Sequence, residues 1–345
     1  MMYNSRGEVA AVFKPIDEEP FAPSNPKGFA GRMDEESGMK RGIPVGGGAV
    51  RECAAFLLDG DGRAAVPATT MLRISHTTLL PDQAEVQIKV GSLQRFCPHE
   101  CTAEDVGTAG FAAEQVHAIG VFDARTFNMD RNSDNLLVTC YGGRRSARAL
   151  VPIDHGYILP SVLHLEEVQV CWLHWPQAHE PFSPSTLEAI AAIDAHAEAA
   201  MLRATLGLGE EALMSLFLGT ALVQAGAKAG LTLHEIGMLS APGPDGPSAV
   251  EGLVAAALAD APPTWASGGA AGVEAVQAAL AAGVEALVGE ALRWRAQARA
   301  SCAFKSAAKG LLRSAKLLGA GAVDAEERFE PFAPAGLGAG GPYRA

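Results

Sequence analysis

Asp130-Arg131-Asn132-Ser133-Asp134-Asn135 and the later run Ile153-Asp154-His155-Gly156 place acids and an amide on polar stretches around two apolar runs, Leu136-Leu137-Val138 and Ala149 to Ile153. The Gly142-Gly143 pair between those runs reads as the turn of a hairpin. Phosphoryl transfer needs such a set. One carboxylate orients the attacking hydroxyl and takes its proton, while a carboxylate and an amide oxygen hold the divalent ion that bridges the phosphates. Asp130 suits the first role. Asn135 and Asp154 suit the second, because Mg2+ is a hard cation that prefers oxygen ligands. The hexapeptide by itself reads equally well as a turn closed by side-chain-to-backbone hydrogen bonds. The hairpin and the D-x-G turn that follow favour the catalytic reading.

Two further residues fit this chemistry. Lys14 ends an apolar, strand-like segment, Glu8 to Lys14, that stops at the breaker Pro15, and Glu52 lies in the short helical run Val50 to Leu58. A lysine on a strand that reaches nucleotide phosphates, held by an acid on the next helix, is a recurrent kinase device. Alone, Lys14 and Glu52 would read as a solvated surface pair of little energetic weight. His155 has two readings, proton transfer near neutral pH and packing in the turn, and packing is the favoured one. Trp172 and Trp175 read as core residues.

The elements that must position these groups follow in a sheet-rich then helix-rich order. Strand signals recur at Met71 to Ile74 and Glu85 to Val90, the latter leading into Gln94-Arg95-Phe96-Cys97 before Pro98. Helical periodicity covers Ala112 to Phe127, Pro184 to Ile193, Glu198 to Leu206 and Glu210 to Ala229. That order predicts an α+β fold. The loop from Pro15 to Pro44 carries Lys27, Arg32, Lys40 and Arg41 among Asp34, Glu35 and Glu36, which reads as a solvated loop. Gly46-Gly47-Gly48 follows the lysine and reads as a flexible lead into the helix. Past residue 240 the composition turns to Pro, Gly and Ala, a linker and low-complexity tail in which Gly268 to Glu290 has helix-forming alanine but little apolar bulk.

Charge and cysteine content exclude some classes. The 27 Lys and Arg against 39 Asp and Glu leave a net charge of -12, which argues against a nucleic-acid partner. Six cysteines without a C-x-x-C pair indicate neither a disulfide framework nor a zinc site. No signal peptide and no uninterrupted apolar span is apparent, so the expectation is a cytoplasmic chain, peripheral on membranes where it meets them.

Four blocks carry a family resemblance: VFKPIDEEPFAPSNPKGF (Val12 to Phe29), NMDRNSDNLLV (Asn128 to Val138), IDHG (Ile153 to Gly156) and HWPQAHEPFS (His174 to Ser183). In this order they resemble the gamma-class, type II-like phosphatidylinositol 4-kinases. The resemblance implies a bilobed, protein-kinase-like (PI3/PI4-kinase) fold that phosphorylates the 4-hydroxyl of phosphatidylinositol with ATP and Mg2+. It implies a catalytic domain over 1–240, with an N-lobe over about 1–97 and a C-lobe over about 98–240, and leaves 241–345 as linker and tail. Lys14, positioned by Glu52, would bind the ATP phosphates, Asp130 would be the catalytic carboxylate, and Asn135 and Asp154 would hold the metal. Gln94, Phe96 and Cys97 would form the hinge that meets adenine through main-chain groups. The departures are a truncated N-lobe, with the glycine-bearing strand and phosphate-covering loop expected before the lysine strand missing, and the absence of a cysteine-rich lipid-attachment cassette. A protein kinase of the same fold, and a pseudokinase or scaffold, stay open as alternatives. In the tail, Arg293, Arg295, Arg299, Lys305, Lys309, Arg313 and Lys316 fall between Ala291 and Leu318 without an acid. At about 100° per residue all but Arg293 share one face, opposite Phe304, Leu311 and Leu318. A basic amphipathic helix over about 291–318 is therefore expected, for which interfacial membrane contact, packing on the core and a disordered tail are the three readings.

Overall fold

The computed structural model describes residues 1–28, 38–75, 88–140, 148–242, 246–259, 261–262 and 264–317. The first lobe is a four-stranded antiparallel sheet, β1 (Met2–Tyr3), β2 (Val9–Pro15), β3 (Thr69–Ser75) and β4 (Ile88–Arg95), in the order β1-β2-β4-β3. Lys14 pairs with Ser92, and Val12 with Gln94. Ser92 and Gln94 are buried on one face of β4, and Lys89, at odd spacing from them, is buried on the other. Helix α1 (Gly48–Leu58) lies against this sheet. Glu19 caps its N-terminus, accepting from the backbone N–H groups of Gly48 (3.0 Å) and Ala49 (2.8 Å), donors that an α-helix cannot satisfy internally.

The second lobe contains a three-stranded sheet, β5 (Cys101–Thr102), β6 (Leu136–Cys140) and β7 (Arg148–Pro152), and the helix α2 (Ala113–Thr126) that precedes its hairpin. The hairpin register pairs Leu136 with Pro152 and Leu137 with Val151, which sets Asn135 and Ile153 side by side at its base. Helices α3 (Pro184–Ala191), α4 (Ala195–Leu206), α5 (Glu210–Lys228) and α6 (Leu233–Ser240) follow. Where α5 crosses α2, an added Cβ on Gly219 would come within 2.3 Å of the Arg125 carbonyl oxygen, so only glycine admits this approach. Gly219→Ala is expected to destabilise the fold by about 1–3 kcal/mol through overpacking. An unchanged thermal midpoint would remove that crossing from the account.

A large apolar cluster in the second lobe joins Trp172, Leu218, Leu222 and Ile236, and it continues through Val250, Val254 and Trp265 to Val276, Leu280, Val284 and Val288. The expected boundary at residue 240 therefore needs correction. Helix α7 (Ala249–Leu258) and the first turns of α8 (Ala270–Leu317) share the core, and the first compact unit is Met1–Leu292. The valines and leucines at every fourth position supply the apolar stripe that the alanine-rich composition hid. Ala270–Ala300 is long and apolar enough to cross a membrane by length and composition, yet those four residues are buried in protein. The second unit, Arg293–Ala345, begins within α8, where Trp294 is 75% exposed. The backbone of the expected basic helix is helical to Leu317, but the side chains of Lys305, Lys309, Arg313 and Lys316 lie outside the described residues. The first strand also differs from expectation, since Met2 and Tyr3 pair with Ala11 and Val9 to form a short antiparallel strand before the lysine strand.

Candidate active site

The cleft between the lobes is walled by β2, α1 and the segment after β7. Lys14 Nζ donates to Glu52 Oε1 and, at 3.0 Å, to Asp154 Oδ1. The Lys14 and Asp154 side chains keep 36% and 49% exposure while Glu52 keeps 2%, so Glu52 is the anchor behind and the other two face the cleft. Burial alone would lower the Lys14 pKa, but the Glu52 and Asp154 charges outweigh it and hold the ammonium above its ordinary range. For Glu52, burial pushes up, and His155 and Lys14 together push further down, leaving the carboxylate ionised.

Helix α1 is fixed in this position from both sides. Arg51, 4% exposed, donates through Nε to the Ile158 carbonyl (2.9 Å) and through Nη2 to the Leu159 carbonyl (3.1 Å), which ties α1 to the second lobe. On the sheet side, Gln94 Nε2 donates to Glu52 Oε2 (3.3 Å) and Thr69 Oγ1 (3.1 Å). Two of the residues expected at the hinge, Gln94 and Phe96, have partners within the first lobe. Gln94 is a buried strut behind Glu52, because its strand position faces α1, and the Phe96 N–H is consumed within the lobe by the Ala10 carbonyl (3.0 Å). Cys97 lies half-buried beyond the strand, its carbonyl 2.9 Å from His99 Nδ1.

Asp130 and Asn135 stand at opposite ends of a tight loop ahead of β6. The Asn132 side chain accepts from the Asn135 N–H (3.0 Å), and Asn135 Nδ2 donates to the Asp130 carbonyl (2.9 Å). Asn132 thus closes the turn, and its amide makes one long contact, 3.4 Å, to the Asp130 carboxylate. Burial raises the Asp130 pKa, with the neighbouring Asp154 charge adding to it. Asp154 has φ 56°, left-handed for a non-glycine residue, a conformation that costs on the order of 1–3 kcal/mol and clusters at functional sites.

The loop is clamped from beneath by residues the sequence reading did not assign. Arg131 is fully buried; its Nε donates to Asp123 Oδ2 (3.1 Å) and its Nη1 to the carbonyls of Asn135 (2.8 Å) and Ile153 (2.7 Å). One guanidinium therefore joins the backbones on either side of the hairpin, at the residues that flank or carry the two oxygen donors. Asp123 also accepts from Trp172 Nε1 (3.0 Å) and Asn128 Nδ2 (2.8 Å). The available signal was positional: Asp123 repeats the spacing of Val116, Ile119 and Gly120 on the inward face of α2, where an acid demands a partner. His155 is fully buried, edge-on to Phe122, with Nδ1 3.8 Å from Glu52 Oε2, beyond hydrogen-bond reach. Its placement agrees with packing.

The donor set suits a hard divalent cation. Asn135 commits its amide nitrogen to Asp130 and leaves Oδ1 with no donor among the described residues, and Asp154 Oδ2 likewise has no protein partner. Among the described residues no group of three or more His, Cys, Asp or Glu gathers to hold a metal, so a cation here would draw its remaining ligands from phosphate or water.

A two-lobed α+β domain whose sheet-borne lysine faces a hairpin flanked by an aspartate, an asparagine and a second aspartate has the architecture of the kinase class of phosphotransferases. Within that class, the chain belongs to the phosphatidylinositol 3- and 4-kinase family, whose model matches residues 2–236. It is 42% identical over 264 residues to phosphatidylinositol 4-kinase gamma 5 of Arabidopsis thaliana, covering 72% of this chain and 42% of that protein. It is 40% identical over 264 residues to phosphatidylinositol 4-kinase gamma 7 of the same plant, covering 72% and 40%. To phosphatidylinositol 4-kinase gamma 4 of Oryza sativa subsp. japonica it is 40% identical over 250 residues, covering 69% and 42%. The chain thus spans less than half the length of these relatives.

Proposed function

We propose that this chain transfers the γ-phosphoryl group of ATP to the 4-hydroxyl of phosphatidylinositol. What supports this reading is the meeting of Lys14, Glu52 and Asp154 in one cleft, with the loop that carries Asp130 and Asn135 joined to Ile153, the residue before Asp154, in a chain 40–42% identical to proteins named phosphatidylinositol 4-kinase gamma. A divalent ion such as Mg2+, if bound with ATP, would supply positive charge against the charge that develops in transfer. Asn135 Oδ1 and the Asp154 carboxylate would hold it. Lys14, kept charged by Glu52, meets the phosphates from the sheet side. Asp130 accepts the proton of the attacking hydroxyl, and its raised pKa makes it a stronger base than an exposed carboxylate.

A lipid acceptor requires work at a membrane surface, and the basic stretch from Arg293 to Lys316 is the proposed peripheral contact. The test uses radiolabelled ATP with vesicles of phosphatidylinositol in a phosphatidylcholine background, and with a panel of protein acceptors. The expected product, after deacylation and chromatography, is the 4-phosphate, and co-sedimentation with the vesicles should weaken in salt. Label in protein but not lipid, or at another hydroxyl, overturns the acceptor assignment.

A further inference from the structure

An anionic lipid headgroup reaching Asp130 enters an acidic cleft, lined by Glu18, Glu19, Glu52 and Asp154. Among the described residues the one cation lining this cleft is Lys14, and the buried cations near it are paired within the protein. Lys14 is held by Glu52 and Asp154, Lys89 by Asp17 (2.6 Å) and Glu18 (3.0 Å), Arg51 is buried on carbonyl oxygens, and Arg131 is buried against Asp123 and two carbonyl oxygens. A phosphodiester therefore needs a positive group nearer the mouth, on the Asp130 side.

The loop Gly38 to Ile43 supplies one. It is closed by hydrogen bonds from the Gly38 N–H to the Ile43 carbonyl (3.1 Å) and from the Ile43 N–H to the Lys40 carbonyl (3.3 Å). Gly42 has φ +76°, and a Cβ there would stand 2.8 Å from His164 Cβ, so glycine lets the loop lie flat on the second lobe. The Ser161 N–H fastens it by donating to the Gly42 carbonyl (2.8 Å). Lys40 Nζ then sits 3.1 Å from Glu167 Oε2, and Arg41 Nη1 sits 3.7 Å from Glu166 Oε1. Two residues past Glu167 the same strip runs along the catalytic loop: the Gln169 N–H donates to the Asn128 carbonyl (3.2 Å) and the Arg131 N–H to the Gln169 carbonyl (3.0 Å). Gly38 and Met39 line the cleft together with Asp154 and Tyr157, and Lys40 follows them directly in sequence. Its charge is felt at Asp130, where it opposes the effect of burial. Lys40 keeps 21% side-chain exposure, which sets it apart from the freely solvated loop expected for this region.

We infer that Lys40, with Arg41 beside it, is the anion subsite that receives the phosphodiester of the acceptor lipid, and that Glu166 and Glu167 hold the two cations in place until the phosphate displaces them. This rests on the lipid-kinase reading, and it adds the residues that select an anionic headgroup. Guanidinium and ammonium groups form short, charge-assisted bonds to phosphate, and a carboxylate a few ångströms away is a ready exchange partner. Removal of one such contact is worth about tenfold in affinity.

The test uses the full chain, with glycerophosphoinositol as a soluble headgroup probe in calorimetric titration and phosphatidylinositol vesicles in turnover. Lys40→Glu should raise the Kd for glycerophosphoinositol and the KM for phosphatidylinositol about tenfold, leaving the KM for ATP near wild type. The paired reversal Lys40→Glu with Glu167→Lys should recover most of the loss, since it returns a cation to the same spot. Lys27→Glu, the same charge change on an exposed residue elsewhere in this loop, should do nothing. Equal Kd in wild type and Lys40→Glu, equal loss in Lys27→Glu, or no binding by wild type overturns the inference. So does inorganic phosphate showing the full Lys40 dependence while glycerophosphoinositol shows none, which would mark a free-phosphate site. Lys40-dependent headgroup binding without lipid turnover would leave the subsite standing and sink the kinase reading.

Discussion

Asp130→Ala and Asp154→Ala should each lower kcat by about 10²–10⁴-fold while leaving the fold intact. Asp130 is half-buried and its carboxylate makes one long contact, 3.4 Å to Asn132, so its removal leaves no buried partner stranded. The loop remains closed by Asn132 and Asn135. Asp154 differs because it is also a Lys14 partner and sits at positive φ. Its loss should raise the Mg2+ concentration needed for half-maximal rate, whereas loss of Asp130 should not. Single-turnover phosphotransfer at varied Mg2+ separates the two roles. Near wild-type turnover in either variant would end the assignment of that residue, and an equal Mg2+ dependence in both would end the division of labour between them.

Asp123→Ala should be the most damaging single change in the lower lobe, costing about 3–5 kcal/mol because it leaves the Arg131 guanidinium buried and uncompensated. It also strands the Trp172 indole N–H and the Asn128 amide. A loss of that size lowers the thermal midpoint on the order of 10 °C. The functional signature goes further, since Arg131 joins the Asn135 and Ile153 carbonyls. The variant that still folds at low temperature should lose kcat with little change in KM for ATP. Asp123→Asn, which keeps the shape and part of the hydrogen bonding, should fall between. A thermal midpoint within a degree or two of wild type for Asp123→Ala would show that the buried pair does not hold the loop.

Much of the candidate site was legible because the proposed chemistry demands particular residue types at short spacing. Asp130 and Asn135 share one loop, and Asp154 follows the next strand, so local order alone brings them together around a hairpin whose register is set by two apolar runs. Lys14 and Glu52 were legible only as a recurrent pattern of strand lysine and helix acid, and the tertiary structure joined them across 38 residues. Helices α2 to α5 of the second lobe were equally readable from their apolar repeats, whereas α6 (Leu233–Ser240) was not read from the sequence.

What only the tertiary structure decided are pairings between residues far apart in sequence whose types are ambiguous. Gln94 reads as a polar residue near a hinge, yet it lies on the α1 side of β4 and braces Glu52, because strand alternation and not composition chose its face. Asp123 and Arg131 read as ordinary charges until burial makes each the necessary partner of the other. The alanine-rich stretch past residue 270 reads as low complexity, but one valine or leucine per turn on a single helix face is enough to join a core when a partner surface exists. Lys40 reads as one charge in a mixed loop, and its place beside Glu167 comes from the way Gly42 lets the loop lie against the second lobe. Sequence determines the chemistry that short-range order can assemble. Long-range burial determines which charges are paired, and therefore which of them remain available to a ligand.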